Sequence, residues 1–322
     1  MNKLIIITGP TGVGKSALSL KLAKKLDTEI ISADSMQIYK GFDIGTAKVT
    51  NEEMHAVKHY MIDIVDADKE FSVKEYQSMA SDIIDKIHKK NKIPIVVGGT
   101  GLYINSLIYN LNFEENNSDS VIKSILYDKL DKYGIEYIRS MLKYVDYDSF
   151  IKLHTNDYKR NIRALEYFFC TNRKYSERKN EFRVDNKKYD WYLYVLTRDR
   201  DDLYNDINKR VDIMFENGLL NEFNNIMLSN IDPNSQSLQA IGYKELVKYK
   251  NGDYNLDIAK ELIKQHSRNY AKRQLTWFRN DPKSKFIDVG KNKIDDIIKQ
   301  IMEDINVSNW QYNGYKINRR NK

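Results

Sequence analysis

A glycine-rich segment near the amino terminus has the residue types and spacing of a phosphate-binding loop. Residues 9–16 read GPTGVGKS, which is a glycine, four residues, a second glycine, a lysine and a serine. Glycines let the backbone wrap a phosphate so that successive N–H groups point inward, and a following helix start adds a favourable dipole. Lys15 supplies a point charge for the terminal phosphate, and the Ser16 hydroxyl supplies a ligand for Mg²⁺. The predicted di- or triphosphate site consists of Gly9, Thr11, Gly12, Val13, Gly14, Lys15 and Ser16.

The segments on either side of this loop have the patterns of a strand and a helix. Residues 4–8 are an apolar run rich in β-branched side chains and too short for a helix, whereas residues 17–23 read as a helix. Strand, glycine loop and helix in this order are the context in which the pattern binds phosphate. The alternative is a chance match in a glycine-containing turn, and the flanking elements argue against it.

A carboxylate follows the second predicted strand. Residues 29–32 read as a short strand, and Asp34 comes two residues after it. Ligands of open α/β sheets bind beyond the carboxyl ends of the strands, so Asp34 is expected on the same rim as the phosphate loop. There a carboxylate can hold Mg²⁺, act as a general base or cap the next turn, and position alone leaves the three roles open.

Another predicted strand ends in glycines where many phosphate-loop enzymes have an acid. Residues 93–97 are a nearly continuous apolar run, typical of a buried parallel strand, and Gly98-Gly99-Thr100-Gly101 follows. Nucleotide hydrolases and many kinases place an acidic Mg²⁺ ligand there. Here the Thr100 hydroxyl is available to donate to a phosphate or a base. The missing acid weakens, without excluding, a reaction driven by ATP.

The composition favours a globular protein of the cytoplasm. Of the 322 residues, 41% are hydrophobic and 30% charged, which are ordinary values for a globular chain. We expect no membrane span, because no run of about 18 apolar residues occurs, and no signal peptide, because the first strand begins at once. A single cysteine, Cys170, excludes an intramolecular disulfide and a cysteine-built zinc site. The net charge of +7 suits a polyanionic partner but does not identify one.

The patterns divide the chain into an α/β core and a helical insertion. Polar residues after 112 mark a boundary, and the segment up to 188 is helical in pattern and rich in Tyr, Lys and Arg. Residues 189–196 alternate like a strand that returns to the sheet. We therefore predict a P-loop NTPase-like parallel sheet core from residues 1–112 and 189–322, with an all-helical carboxyl-terminal part. Residues 113–188 are the predicted helical insertion domain.

Basic side chains in these helical segments suit contacts with nucleic acid. Arg160 and Arg163 are three residues apart on one face of a predicted helix, with tyrosines interleaved. The alternative is a solvated face in which Asp157 and Glu166 are ion-pair partners. A second candidate is a basic stripe on the helix predicted for 257–279, formed by Lys264, Arg268, Lys272 and Arg279. Leu262, Tyr270 and Trp277, on the opposite side of that helix, are expected to pack in the core.

Six motifs together make the chain resemble the tRNA dimethylallyltransferase family, also called the tRNA isopentenyltransferases. They are GPTGVGKS at 9–16, SADSMQIYKGFDIGTAK at 32–48, VVGGTGLY at 96–103, RNIRALE at 160–166, AIGYKE at 240–245 and AKRQLTWFR at 271–279. Their order and spacing match from residue 1 to about 280. Many proteins share the phosphate loop alone, whereas the combination with the second, third and last motifs is far more specific.

The resemblance implies a transfer of the dimethylallyl group from dimethylallyl diphosphate to N6 of the adenosine on the 3′ side of the anticodon. In this family the phosphate loop holds a diphosphate leaving group rather than ATP, which agrees with the missing acid after residue 97. The implied partners are tRNA, through its anticodon stem-loop, and Mg²⁺ on Ser16. We expect a monomer without membrane attachment.

The resemblance also implies roles for individual residues. Asp34 accepts the N6 proton, Thr100 lies near the bridging oxygen, Arg210 is a further diphosphate contact, and Gln37 reads the base edge. The residues implied to contact tRNA are Asp34, Ser35, Met36, Gln37, Lys159, Arg160, Arg163, Gln239, Gly242, Tyr243 and Lys244. One departure from the family is Gly101, where bulkier residues are often seen.

Three other functions compete with this interpretation. A small-molecule kinase explains the first 110 residues but leaves the basic helical remainder without a role. A nucleic-acid-binding protein with a vestigial nucleotide site requires that Asp34 be dispensable. An adenylate isopentenyltransferase, with a free nucleotide as acceptor, shares the core but needs neither the insertion nor the basic stripe.

Overall fold

The computed structural model describes residues 2–111, 120–177 and 184–305. Their contacts divide them into two units. The core unit consists of the described residues of Met1–Tyr109 and Asp185–Lys322, and the insertion unit consists of those of Asn110–Val184. In this described part of the chain, no helix combines the length and the apolar character needed to cross a membrane.

One parallel sheet organises the core unit. Its strands are β1 (Lys3–Thr8), β2 (Ile30–Ser32), β3 (His59–Tyr60), β4 (Ile95–Val97), β5 (Asp190–Thr197) and β6 (Lys285–Asp288). The spatial order is β3-β2-β4-β1-β5-β6, and every adjacent pair is parallel. The prediction of an α/β fold with a parallel sheet is therefore confirmed.

Twelve α-helices are described in the two units together. They are α1 (Lys15–Leu26), α2 (Asn51–Ala56), α3 (Val73–Lys89), α4 (Gly101–Ile108), α5 (Ser120–Val145), α6 (Tyr147–Lys152), α7 (Tyr158–Thr171), α8 (Arg200–Glu216), α9 (Leu219–Leu228), α10 (Tyr243–Lys250), α11 (Leu256–Arg279) and α12 (Ile294–Asp304). Helices α5, α6 and α7 belong to the insertion unit.

Strand β1 is central because it is apolar on both faces. Its residues 4–7 are fully buried, as a parallel strand covered by helices on both sides must be. The register places Ile7 of β1 and Ser32 of β2 opposite the same residue, Val97 of β4. The segments that follow these three strands therefore meet at one edge of the sheet.

The prediction of an all-helical carboxyl-terminal part is wrong at Lys285–Asp288. These residues form β6, which pairs with β5 at the edge of the sheet. Only Ile287 of the four is buried, while Lys285 and Phe286 are exposed. Four residues with one buried side chain are too short a signal to separate a strand from a loop.

The insertion unit has its own apolar core. Six buried residues of α5 and α7 form it: Leu126, Ile138, Leu142, Ile162, Ala164 and Leu165. Within α5 the helical backbone breaks at Gly134, whose φ of 76° suits a residue without Cβ.

Candidate active site

The predicted phosphate loop lies between β1 and α1. Gly9 has φ +139°, and a Cβ there would lie 2.5 Å from the carbonyl oxygen of Leu196, so β5 passes too close for any side chain. Gly14 caps α1 with φ +95° and brings no side chain over the amides of the first turn. The amino terminus of α1 is therefore left open to an anion.

Lys15, the first residue of α1, reaches back over the loop. Its Nζ donates to the carbonyl oxygens of Gly9 at 3.0 Å and Pro10 at 2.8 Å. Burial and the nearby Arg210 guanidinium lower the pKa of Lys15 to about 8, against an opposing effect of Asp34. Burial lowers the pKa of Arg210 as well, while the Asp34 charge acts to raise it. Two cations and one carboxylate thus share this rim of the sheet.

Asp34 and Thr100 belong to two segments, after β2 and β4, that are hydrogen-bonded to each other. Asp34 Oδ1 accepts from the N–H groups of Met36 at 2.9 Å and Gln37 at 3.4 Å, so the carboxylate caps this turn. Thr100 Oγ1 accepts from the N–H of Ser35 at 3.0 Å. The turn is therefore fixed to the glycine segment after β4, and the capping role considered for Asp34 is present in the structure.

A cavity of about 290 Å³ opens beside these residues in the core unit. Asp34 and Arg210 line it, together with Thr11 of the predicted phosphate loop. Four apolar side chains of α8 and α11 line it as well: Ile207, Val211, Met214 and Ile263. A lining that combines charged and apolar side chains suits a small ligand with an anionic head and an apolar tail.

The residues predicted to contact tRNA from the core unit divide into two groups. Ser35, Met36, Gln239, Gly242 and Lys244 line the cavity together with Asp34. Gln37 does not; its side-chain amide binds the carbonyl oxygens of Thr46 and Ala47 and the hydroxyl of Ser32.

Tyr243 does not have the exposed position that a tRNA contact requires. Its side chain is fully buried, and its hydroxyl donates to Glu222 at 2.5 Å. Burial and the Glu222 charge raise the pKa of Tyr243 well above its usual range. The structure therefore corrects this expectation, since Tyr243 anchors protein elements to each other.

Three further basic residues predicted to contact tRNA lie on α7 of the insertion unit. Lys159 and Arg160 are exposed, and Arg160 Nε lies 3.4 Å from Asp157 Oδ2. Arg163 donates to the buried Glu166 at 2.7 Å. The ion pairs considered as the alternative for these two arginines are thus formed, which leaves Lys159 and Arg160 as the more accessible cations.

Sequence reasoning missed the roles of two residues on α11. Tyr270, expected only to pack, lines the cavity, and burial together with the Asp34 charge raises its pKa to about 12. Gln274 accepts from the N–H of Thr11 at 2.9 Å and donates to the carbonyl oxygen of Gly99 at 3.0 Å. It therefore joins the phosphate loop to the glycine segment. The spacing of four residues, which places both side chains on one helix face, was the available signal.

The basic stripe predicted on α11 is partly engaged within the protein. Lys264 pairs with Asp212 at 2.8 Å and with Glu261 at 3.1 Å, and Arg268 donates to Asn208 at 2.5 Å. Because Asp212 and Asn208 belong to α8, these two cations face a neighbouring helix. The expectation of a continuous phosphate-tracking surface is therefore wrong for Lys264 and Arg268.

The departure at Gly101 has a structural reason. A Cβ at this position would lie 2.3 Å from Nε1 of Trp277, so the indole occupies the space that a side chain needs. Replacing Gly101 by Ala is expected to lower the free energy of unfolding by about 1–3 kcal/mol, as overpacking does. The higher helix propensity of alanine relative to glycine, up to about 1 kcal/mol, offsets part of this loss. Urea unfolding measures this change.

Shortening the indole provides the control for that substitution. Leucine at Trp277 removes the ring, so the double variant Gly101→Ala/Trp277→Leu should be more stable than the sum of the single changes predicts. A Gly101→Ala variant as stable as the wild type, or strict additivity in the double variant, would contradict the packing argument.

The pKa of Lys15 predicts how anion binding depends on pH. A bound diphosphate stabilises the ammonium form of Lys15, so the pKa of this lysine is higher in the complex than in the free protein. The contribution of Lys15 to diphosphate affinity is therefore complete below about pH 8 and is lost as the pH rises through the pKa of the complex. In this range we expect the dissociation constant of inorganic diphosphate to rise by up to about tenfold per pH unit. Calorimetry should show that this dissociation constant rises less steeply with pH for Lys15→Arg, whose guanidinium stays charged. Parallel pH curves for the variant and the wild type would contradict a role of Lys15 in binding the anion.

Comparison with known proteins identifies the family. The family model for IPP transferase matches residues 37–281. A tRNA dimethylallyltransferase of Clostridioides difficile (strain 630) is 47% identical over 303 residues, which are 93% of this chain and 96% of that protein. The chain belongs to the IPP transferase family.

Two solved structures of the same family share the fold. The full-length tRNA isopentenylpyrophosphate transferase of Bacillus halodurans is 40% identical, with a TM-score of 0.71 over 95% of this chain and 96% of that one. A eukaryotic dimethylallyltransferase acting on tRNA is 31% identical, with a TM-score of 0.80 over 95% of this chain and 80% of that one. The family resemblance stated from the motifs is therefore confirmed.

Proposed function

We propose that this protein transfers the dimethylallyl group of dimethylallyl diphosphate to N6 of the adenosine on the 3′ side of the anticodon in tRNA. The observation that carries this proposal is the meeting of the phosphate loop, Asp34 and Arg210 at one rim of the core sheet. The relatives' names supply the classes of donor and acceptor, since the 47% identical protein is a tRNA dimethylallyltransferase.

The phosphate loop and its cations hold the leaving group. The C1–O bond of an allylic diphosphate breaks readily when the charge developing on the diphosphate is neutralised. Lys15, Arg210 and the amides at the start of α1 supply positive charge and N–H donors that are in place before the reaction. Val211 and Ile263 line the cavity, and we expect these apolar side chains to cover the hydrocarbon chain.

In this proposal Asp34 accepts the proton that the attacking amine loses. The N6 amine attacks C1, a C–N bond forms as the C1–O bond breaks, and the diphosphate leaves with the electron pair. The amine proton passes to the Asp34 carboxylate, which lines the cavity. Thr100 does not line the cavity, but it accepts from the N–H of Ser35 at 3.0 Å, and we expect it to hold this turn in place.

We propose that Mg²⁺ binds at this site together with the diphosphate. The described residues contain no cluster of three or more His, Cys, Asp or Glu side chains suited to a metal. The Ser16 hydroxyl, exposed at the start of α1, is the protein ligand we propose, with diphosphate oxygens completing the shell. When bound, the ion supplies positive charge to the leaving group.

The acceptor is too large for the cavity, so tRNA must present one base to it. We propose that the adenosine leaves its stack to enter the cavity, as in base flipping. Gln239 and Lys244 at the cavity and Lys159 and Arg160 on α7 are the basic and polar side chains that we expect to contact the RNA.

A substrate matrix tests this function against its competitors. The purified protein is given labelled dimethylallyl diphosphate or ATP, with Mg²⁺ and either unmodified tRNA or AMP. We expect label on tRNA alone, and only from dimethylallyl diphosphate. Label on AMP would favour the adenylate enzyme, and phosphate transfer from ATP without prenyl transfer would favour the kinase.

A further inference from the structure

Glu222 of α9 binds an unusual number of backbone donors. Its Oε2 accepts from the N–H groups of Asp43 at 2.9 Å and Ile44 at 2.7 Å. Its Oε1 accepts from the N–H of Gly45 at 3.1 Å and from the Tyr243 hydroxyl at 2.5 Å. One carboxylate thus holds three successive amides of a loop and a buried phenol.

These contacts fix a segment that has no helix or strand of its own. Hydrogen bonds to an ionised acceptor are roughly twice as strong as neutral ones. A Cβ at Gly45 would lie 2.6 Å from the Tyr243 ring, so the backbone is pressed directly against the phenol that Glu222 also binds. Glu222 and Tyr243 therefore act as one clamp on residues 43–45.

The clamped segment continues into the wall of the cavity. Gly45 and Thr46 line the cavity, as do Asp34, Ser35 and Met36. Glu222 does not line it, so any effect of this carboxylate on a bound substrate passes through the loop. The phosphate loop lies on other elements, β1 and α1, and has no hydrogen bond to Glu222.

A second anchor keeps the loop attached when the clamp is removed. Lys48, whose side chain is only 4% exposed, pairs with Asp43 and Asp63 at 2.5 Å each and donates to the carbonyl oxygen of Tyr39 at 3.0 Å. Variants of Glu222 are therefore expected to fold, with the disturbance confined to residues 43–46 and the Tyr243 side chain that Glu222 also binds.

From this geometry we infer that Glu222 is a positioning residue for the acceptor side of the site. It sets the loop wall against which the flipped base is placed, and it leaves the diphosphate subsite unaffected. The inference rests on the proposed function for its acceptor, but the clamp itself is testable without any activity.

Hydrogen exchange measures the clamp directly. Each carboxylate oxygen accepts from two donors, so the amide group of Glu222→Gln must turn its nitrogen toward one of the two pairs. We expect the amides of residues 43–45 to exchange at least about tenfold faster in Glu222→Gln, and faster still in Glu222→Ala. The reason is that losing a hydrogen bond to a charged acceptor lowers the free energy of local opening of this loop. Glu216→Gln, an exposed carboxylate at the end of α8, is the matched control and should exchange like the wild type.

Kinetics separate positioning from a general loss of structure. In Glu222→Gln we expect the KM for tRNA to rise, or kcat to fall, by about tenfold, while the dissociation constant of inorganic diphosphate stays within about twofold. Amide exchange at residues 43–45 as slow in the Glu222 variants as in the wild type would show that Glu222 does not hold this loop. Equal losses of diphosphate affinity and transfer would overturn the positioning role. A wild-type protein without transfer activity would refute the proposed function while leaving the exchange result intact.

Discussion

Replacing Asp34 by asparagine is expected to lower kcat for dimethylallyl transfer about 100- to 10 000-fold, the usual contribution of a general base. Asparagine keeps an oxygen that can accept from the N–H groups of Met36 and Gln37, as Asp34 Oδ1 does. It cannot accept the N6 proton. Single-turnover transfer with saturating tRNA measures the change, and the affinity for inorganic diphosphate should not fall, because the substitution removes a negative charge near Lys15 and Arg210.

The choice of asparagine separates the three roles that the sequence left open for this carboxylate. A variant with nearly full activity would mean that Asp34 only caps the turn after β2. Recovery of activity with excess Mg²⁺ would mean that it binds the metal. Asp34→Ala, which removes the cap as well, should lose some thermal stability in addition to activity.

The second large effect is expected at Arg210. Its guanidinium lines the cavity, and it is close enough to Lys15 to lower the pKa of that lysine. Replacing it by glutamine removes one of two cations from the leaving group, so we expect kcat/KM for dimethylallyl diphosphate to fall about 100- to 1000-fold. Arg210→Lys keeps the charge without the planar fork and should recover only part of the loss.

A neighbour on the same helix provides the control for Arg210. Lys209 is exposed and lies outside the cavity lining, so Lys209→Gln removes the same charge from α8 without touching the site. Its activity should stay within about twofold of the wild type, because exposed charges away from the site are screened. Equal losses in both variants would mean that Arg210 contributes only to the overall field of the protein. In Arg210→Gln we also expect the pKa of Lys15 to rise, since a like charge has been removed.

The parts of the fold that could be predicted from the sequence are those fixed by short-range rules. The apolar run of β1, the glycine loop and the start of α1 follow one another in the chain, so their local pattern determines them. The start of α3 has a local pattern of the same kind, a capping box in which Ser72 and Glu75 bond reciprocally. The position of Asp34 on the rim followed from one topological rule about parallel sheets.

The parts that the sequence did not reveal depend on contacts between distant segments. Gln274 reaches Thr11 across 263 positions of the chain, and Glu222 reaches Ile44 across 178. No local pattern signals such pairs. Tyr243 is the clearest case. The family resemblance of its motif implied a contact with tRNA, whereas its ring packs against Gly45 and its hydroxyl donates to Glu222 of α9.

Nucleoside mapping tests whether the dimethylallyl group arrives on one particular adenosine. Unmodified tRNA is incubated with the wild-type protein, dimethylallyl diphosphate and Mg²⁺, digested with nucleases of defined specificity, and analysed by mass spectrometry. We predict one added dimethylallyl group per tRNA, on N6 of the adenosine 3′ to the anticodon, and none when that adenosine is replaced by guanosine. A prenyl group on another nucleotide, or undiminished transfer to the substituted tRNA, would contradict the account.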